Sequence, residues 1–416
     1  MRGARQVGKT HAVRELGKSF ENLIEINLEF YPHLAQIFEP DLDPKRIVRD
    51  LALELTKPIR PGRTLLFIDE IQASEKAILA LRYFHEMMPE LHVVAAGSLI
   101  DFAIQKTGLP VGRVEVLYMY PMSFLEFLTA NGKQILVDEI LTHEPATPMP
   151  ETVHTQLLKL LGEYMLVGGM PEAVQYWANT QDAGNCLKIQ GDLINTYRQD
   201  FQKYADKFQL KYVELLFDEI PRHLGKLFKF SSLSGGYRSR ELSPCLDLLC
   251  TAGVVHRVFQ SAAQGMPLMA EANLDRFKTV FLDVALAQRA LGLKPADWLL
   301  RSEQSLANKG GITESLIGQE LLAYSSPTAK KGLFYWHRET RGSTAEIDYV
   351  DSSGEGQILP IEVKSGKGAT LRSLRAFLDT HPQVPHGISF STRNYSVDGD
   401  VHFYPLYAVA KLFSST

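Results

Sequence analysis

The chain has 416 residues, of which 45% are hydrophobic, 22% charged and 10% aromatic, and its formal net charge is −4. A single hydrophobic core stops growing near about 250–300 residues, so this length predicts two to four domains. The composition excludes a disordered or fibrous chain, and the charge excludes a globally basic nucleic-acid coat while leaving room for a local basic patch.

The three cysteines, Cys186, Cys245 and Cys250, form no CxxC pair. That argues against a disulfide framework or a zinc site and predicts buried, reduced thiols. No apolar stretch follows Met1, and no run approaches about 18 apolar residues, so neither a signal peptide nor a membrane span is expected and a cytoplasmic protein is.

In chain order, short apolar strands over 22–28, 63–68, 91–96 and 114–120 alternate with helical patterns over 11–17, 44–55, 75–88 and 99–107. This alternation predicts an α/β fold with a parallel sheet covered on both faces. Ahead of the first helix, Gly3-Ala4-Arg5-Gln6-Val7-Gly8-Lys9-Thr10 fits GxxxxGK[ST]. Glycines at this spacing let backbone N–H groups curl around phosphates, Lys9 brings a point charge to them, and the Thr10 hydroxyl can bind Mg²⁺. Residues 3–10 therefore form a predicted ATP-binding loop.

About 60 residues further on, Leu65-Leu66-Phe67-Ile68-Asp69-Glu70 is an apolar strand ending in two carboxylates. Alone, such a pair reads as solvated acids at a strand end. Behind a phosphate loop, Asp69 is placed to reach the Mg²⁺ of ATP and Glu70 to polarise the attacking water. A third strand, Val93-Val94-Ala95-Ala96-Gly97-Ser98, ends in a hydroxyl. Ser98 is predicted to sense the γ-phosphate, to cap the next helix, or both.

These motifs, in this order, resemble those of a large group of bacterial and archaeal AAA-type ATPases that end in a domain of unknown function of the DUF4143 type. The likeness continues through Gly112-Arg113, Tyr120-Pro121-Met122-Ser123-Phe124-Leu125-Glu126-Phe127-Leu128 and Val167-Gly168-Gly169-Met170-Pro171-Glu172-Ala173, over nearly the whole chain. It implies a P-loop sheet, a winged helix and a C-terminal fold like the PD-(D/E)xK nucleases. It also implies that Arg113 contacts a phosphate or a neighbouring subunit, against the plainer reading of a surface arginine. Two departures stand out. Ala4 occupies a position where the family usually has proline. The family's apolar strand ahead of the loop has no counterpart before Gly3, which predicts either a shortened start or a weakened nucleotide site.

Beyond a proline-rich break, Glu144-Pro145-Ala146-Thr147-Pro148-Met149-Pro150, the pattern is mainly helical to about residue 205. Over 233–258 a turn, an apolar-spaced helix ending at Gly253 and a β-branched strand fit the second half of a winged helix. Arg222, Lys226, Lys229, Arg238 and Arg240 fall in a stretch without acids, a patch suited to a DNA backbone or to a solvated face. From about residue 310, a helix precedes strands over 333–337, 345–350 and 358–364. Glu314, Asp348, Glu362 and Lys364 resemble the nuclease constellation E…D…ExK. A hairpin centred on Glu355 puts 348 opposite 362, and Lys364 shares the face of Glu362. In that reading Glu314, Asp348 and Glu362 hold a second metal ion and Lys364 orients water. The competing reading is a polar hairpin face. Glu320 is an alternative helical carboxylate; six residues from Glu314, it is not expected to point the same way.

The predicted layout is an AAA-type ATPase domain over 1–130, a helical connector or lid over 131–205, a winged-helix region over 206–300 and a nuclease-like domain over 301–416. The expected activity is Mg²⁺-dependent ATP hydrolysis coupled to DNA binding, in a homo-oligomer or a monomer. The alternative is a non-hydrolysing, nucleotide-dependent switch whose C-terminal fold only binds nucleic acid or protein.

Overall fold

Strand β2 (Thr64–Asp69) is buried at every position, as a strand covered on both faces must be. It lies between β1 (Asn22–Asn27) and β3 (His92–Ala95) in a parallel sheet. Alternation along β2 sends Leu66 and Ile68 into one core, with Ile24, Ile26, Ile47, Leu51 and Phe84. Leu65 and Phe67 go to the other face, with Val13 and Ala96. Helices α1 (Lys9–Gly17), α2 (Pro32–Ala35), α3 (Pro44–Glu54), α4 (Glu75–Met87) and α5 (Ile100–Thr107) complete this part. Their starts are chemically marked. Asp43 accepts from the Lys45 N–H with Pro44 in the first turn, and Ser74 accepts from the Ala77 N–H.

The computed structural model describes residues 1–108, 112–292, 310–338, 345–352, 356–364 and 371–413. The chain divides into two units: Met1–Tyr120 with Thr251–Gly253 and Ser326–Lys330, and Pro121–Cys250 with Val254–Ser325 and Lys331–Thr416. Among the described residues no helix is long and apolar enough to cross a membrane. Cys186 and Cys245 are buried thiols; Cys250 is only half-buried, which departs from the expectation.

In the first unit the expected strand over 114–120 does not form. Among the described residues it makes an isolated bridge between Tyr118 and Arg2, with the Arg2 N–H on Leu117 O at 2.7 Å and the Met119 N–H on Arg2 O at 2.9 Å, while the Tyr118 N–H donates to Pro327 O at 2.7 Å. The Met1 ammonium donates to Ala95 O at the end of β3. Met1 and Arg2 thus lie between β3 and residues 117–119, which they join by a bridge and not a ladder.

The second unit begins with helices α6 (Phe124–Ala130), α7 (Gln134–Thr142), α8 (Glu151–Val167), α9 (Pro171–Thr180), α10 (Ala183–Tyr204), α11 (Lys207–Glu219) and α12 (Ser239–Thr251). Its sheet has eight strands: β4 (Val255–Ser261), β5 (Ala272–Phe281), β6 (Leu333–His337), β7 (Glu346–Ser352), β8 (Ile358–Val363), β9 (Gly387–Ser391), β10 (Ser396–Asp398) and β11 (Val401–Pro405). Their spatial order is β10-β11-β9-β8-β7-β6-β4-β5. The β4–β5 hairpin, whose first strand was expected in a winged-helix region over 206–300, is joined through the parallel β4–β6 pairing to the C-terminal strands. One sheet therefore runs across the boundary drawn at 300–301. Helix α13 (Val284–Ala290) follows β5, α14 (Gly310–Ala323) packs on β5 and β8, and α15 (Arg372–Thr380) packs on β7 and β8.

Candidate functional sites

The loop before α1 has the backbone that its glycines predict. Gly3 (φ 147°), Gln6 (φ 63°) and Gly8 (φ 102°) are left-handed, and a Cβ on Gly3 would lie 2.2 Å from Met119 O. Only glycine fits there. Ala4 and Val7 are buried. Lys9, 7% exposed, folds over the loop and donates to Gly3 O at 2.9 Å and Ala4 O at 2.8 Å. Burial lowers its pKa to about 8, against the partial counter-pull of Glu70 and Asp69. The Thr10 hydroxyl donates to Asp69 Oδ2 at 3.0 Å, which brings the two predicted Mg²⁺ ligands together. Burial raises the Asp69 pKa. Hydroxyl and carboxylate oxygens are the hard donors Mg²⁺ takes, so these residues fit the ion.

Glu70 is left-handed (φ 49°), an uncommon conformation for a side-chain-bearing residue and one that clusters at functional sites. Its Oε2 accepts from Gln72 Nε2 at 2.5 Å. A Cβ on Gly97 would lie 1.9 Å from Gln72 Oε1, so glycine after β3 makes room for this amide. Sequence reasoning gave neither Gly97 nor Gln72 a role. Ser98 does not cap α5; that position is Leu99, without a side-chain bond. Arg113 is at the surface on Glu86 at 3.1 Å, the plainer of its two readings.

In the second unit α14 is buried on nearly every face, so both of its glutamates are inside. The expectation that only one would point inward fails because this helix has no solvent side. Glu320 accepts from the Phe124 N–H at the start of α6, 3.1 Å from each carboxylate oxygen, and lies 3.0 Å from the Tyr164 hydroxyl. Burial raises its pKa to about 7. Asp283 caps α13 and accepts from the Gly169 N–H at 2.7 Å. Met122 N donates to Gly169 O at 2.7 Å, and a Cβ on Gly169 would lie 2.1 Å from Met122 O. The segments around Met122 and Gly169 thus lock α6, α8, α13 and α14 together.

Glu314 goes elsewhere. Lys278, at 1% exposure on β5, is 2.8 Å from Glu314, 2.5 Å from Glu346 and 3.5 Å from Asp348. Its ammonium also lies 5.3 Å from the Tyr335 ring on β6. The register of the β7–β8 hairpin runs from Ser352↔Ile358 to Tyr349↔Ile361, one position short of the expected 348–362 pair. Gly354 and Glu355 at its tip, and Ser365 and Gly366 after it, lie outside the described residues. Asp348 Oδ2 accepts from the Val363 N–H at 2.8 Å, and buried Glu362 is paired with Lys364. Burial lowers the Lys278 pKa less than Glu314, Asp348 and Glu346 together raise it, so the net shift is upward. Burial raises Glu314 and Asp348, which relieves the excess of four carboxylates over two ammoniums. Among the described residues no group of three or more His, Cys, Asp or Glu side chains is arranged to hold a metal ion. Glu314, Asp348 and Glu362 as placed do not fit the expected second metal.

Residues 1–128 match the family described as AAA domain. Residues 158–297 match a domain of unknown function, DUF8612, and residues 309–409 another, DUF4143. With the phosphate loop and its acidic strand, the first match defines an AAA-type P-loop ATPase domain. The chain thus joins an N-terminal AAA-domain match to a C-terminal DUF4143 match, the pairing found in the group its motifs resemble. No curated protein matches it. A solved structure of the Aeropyrum pernix ORC2 protein, in ADPNP–ADP complexes, aligns at 13% identity over 73% of this chain and 86% of that chain, with a TM-score of 0.31.

Proposed function

We propose that the first unit is a Mg²⁺-dependent ATPase. The observation that carries this reading is the Thr10–Asp69 hydrogen bond, which joins the phosphate loop to the acidic strand. Thr10 and Asp69 would hold Mg²⁺, which when bound neutralises charge on the β- and γ-phosphates. Lys9 exchanges two carbonyl partners for phosphate oxygens, backbone N–H groups of residues 3–8 surround them, and Glu70 takes the proton of the attacking water. Glu70→Gln is expected to keep ATP affinity and to slow steady-state phosphate release about 10²–10⁴-fold. Release at the unmutated rate would remove Glu70 from this role. The Gln72–Glu70 bond favours a second reading, a slow switch in which ATP occupancy matters more than turnover. Tight ATP binding with negligible release in the unmutated protein would establish it.

The second unit is proposed to grip nucleic acid through α12 and the β4–β5 hairpin. Arg222, Lys226, Lys229, Arg238 and Arg240 are all exposed, although Arg222 is paired with Glu219. Phosphate contacts weaken uniformly and lose salt dependence when cations are removed. Arg238→Glu with Arg240→Glu is expected to weaken duplex DNA binding in fluorescence anisotropy and to flatten its salt slope. Unchanged binding would exclude these two residues.

A further inference from the structure

We infer that Lys278 is the resident cation of the C-terminal carboxylate cluster, placed between Glu314, Glu346 and Asp348 where a divalent ion would otherwise be needed. This inference is independent of ATP hydrolysis in the first unit. It starts from position: the lysine comes from β5, within the 158–297 match, and the carboxylates come from α14 and β7, within the 309–409 match.

Carboxylates gathered from one helix and one strand repel, and burial raises the cost of their charge. Something positive must be present for such a cluster to fold. Lys278 supplies it from within the chain. Its ammonium is within 3.5 Å of all three acids. Tyr349 fixes the helix side of the cradle, its hydroxyl donating to Glu314 O at 2.8 Å. Helix α14 can come this close because Gly318 has no side chain: a Cβ there would lie 2.4 Å from the Tyr349 hydroxyl and 2.7 Å from Val280, which shares a face of β5 with Lys278. Glu362 is engaged separately by Lys364.

An ammonium and a divalent ion cannot share the cradle. Lys278 donates hydrogen bonds but, unlike a divalent ion, does not coordinate a water and lower its pKa. The C-terminal site therefore folds without metal and does not hydrolyse phosphodiesters by a metal-bound water. Removing the lysine uncovers a latent divalent-cation site.

The test is Mn²⁺ titration calorimetry on the full chain without nucleotide. Four proteins are compared: unmutated, Asp348→Asn, Lys278→Met and the double variant. Mn²⁺ taken up by the phosphate loop is common to all four and cancels. The unmutated protein and Asp348→Asn are expected to titrate alike. Lys278→Met is expected to gain a stoichiometric Mn²⁺ site that the double variant lacks. Mn²⁺ binding in the unmutated protein that Asp348→Asn removes overturns the inference, and so does a folded Lys278→Met protein that gains no site. If Lys278→Met does not fold, the comparison of the first two proteins still decides. Mg²⁺-dependent cleavage of linear duplex DNA by the unmutated protein, lost in Asp348→Asn, also overturns it.

Discussion

Two buried lysines stand in opposite electrostatic positions. Lys9 is held by two backbone carbonyls, and burial lowers its pKa to about 8. Lys278 is held by three carboxylates, and its pKa is raised. Carbonyls satisfy hydrogen bonds but do not cancel charge. Lys9 is therefore short of negative charge and suited to an incoming anion, whereas Lys278 is saturated. The chemistry of a buried lysine is read from its partners, not from its burial.

The sharpest test of this contrast is stability. Lys278→Met leaves buried carboxylates without a counter-charge and is expected to cost about 3–5 kcal/mol in denaturant unfolding of the second unit. Lys9→Met removes a desolvated and only partly compensated charge and is expected to be neutral or stabilising in the absence of nucleotide. Equal losses in both variants would break the comparison.

Ligand binding should show the reverse. Lys9→Met is expected to weaken ATP about 100-fold, from the loss of a charge-assisted contact of roughly 3 kcal/mol. Lys278→Met, measured where it is folded, should leave ATP affinity unchanged. Equilibrium dialysis with labelled ATP measures both.

A smaller effect sharpens the rule from the acidic side. Among the described residues no ammonium partners Glu320; it faces the Phe124 N–H, the Tyr324 and Tyr164 hydroxyls and, more remotely, Glu126. Its folded-state pKa, about 7, lies above the unfolded value near 4.5, so the native state binds more protons between the two. Its contribution to stability is greatest below about pH 4.5 and falls as pH rises toward 7. Glu320→Gln is expected to reduce this fall in melting temperature. An unchanged pH profile would mean that Glu320 does not carry the proton.

The strands over 22–28, 63–68 and 91–96 were legible because apolar runs between helical patterns have few other solutions. The phosphate loop and Asp69 were legible because their spacing is set by chemistry within one unit. Lys278 was not, since its partners lie 36, 68 and 70 positions away in sequence. A signal was present. Lys278 and Asp283 are the only charges in the apolar run Phe277-Lys278-Thr279-Val280-Phe281-Leu282-Asp283-Val284-Ala285-Leu286. A charge inside a strand buried on both sides must have a partner. The strand over 114–120 was misread because its apolar pattern was present but a ladder partner was not. The single sheet was invisible because a parallel pairing between β4 and β6 leaves no mark in either strand's own sequence.

That pairing has a consequence for how the chain can be divided. Excising the segment after residue 300 would strip β6 of β4 and expose a row of unpaired backbone groups, the kind of edge on which strands from other molecules add. It would also separate Glu314, Glu346 and Asp348 from Lys278. Recombination at the seam between the two matched families would bring the same loss unless the incoming neighbour carried both an edge strand and a lysine at this register. Moved elsewhere, the C-terminal segment would keep its sheet and its cation only in the company of the strand that supplies both.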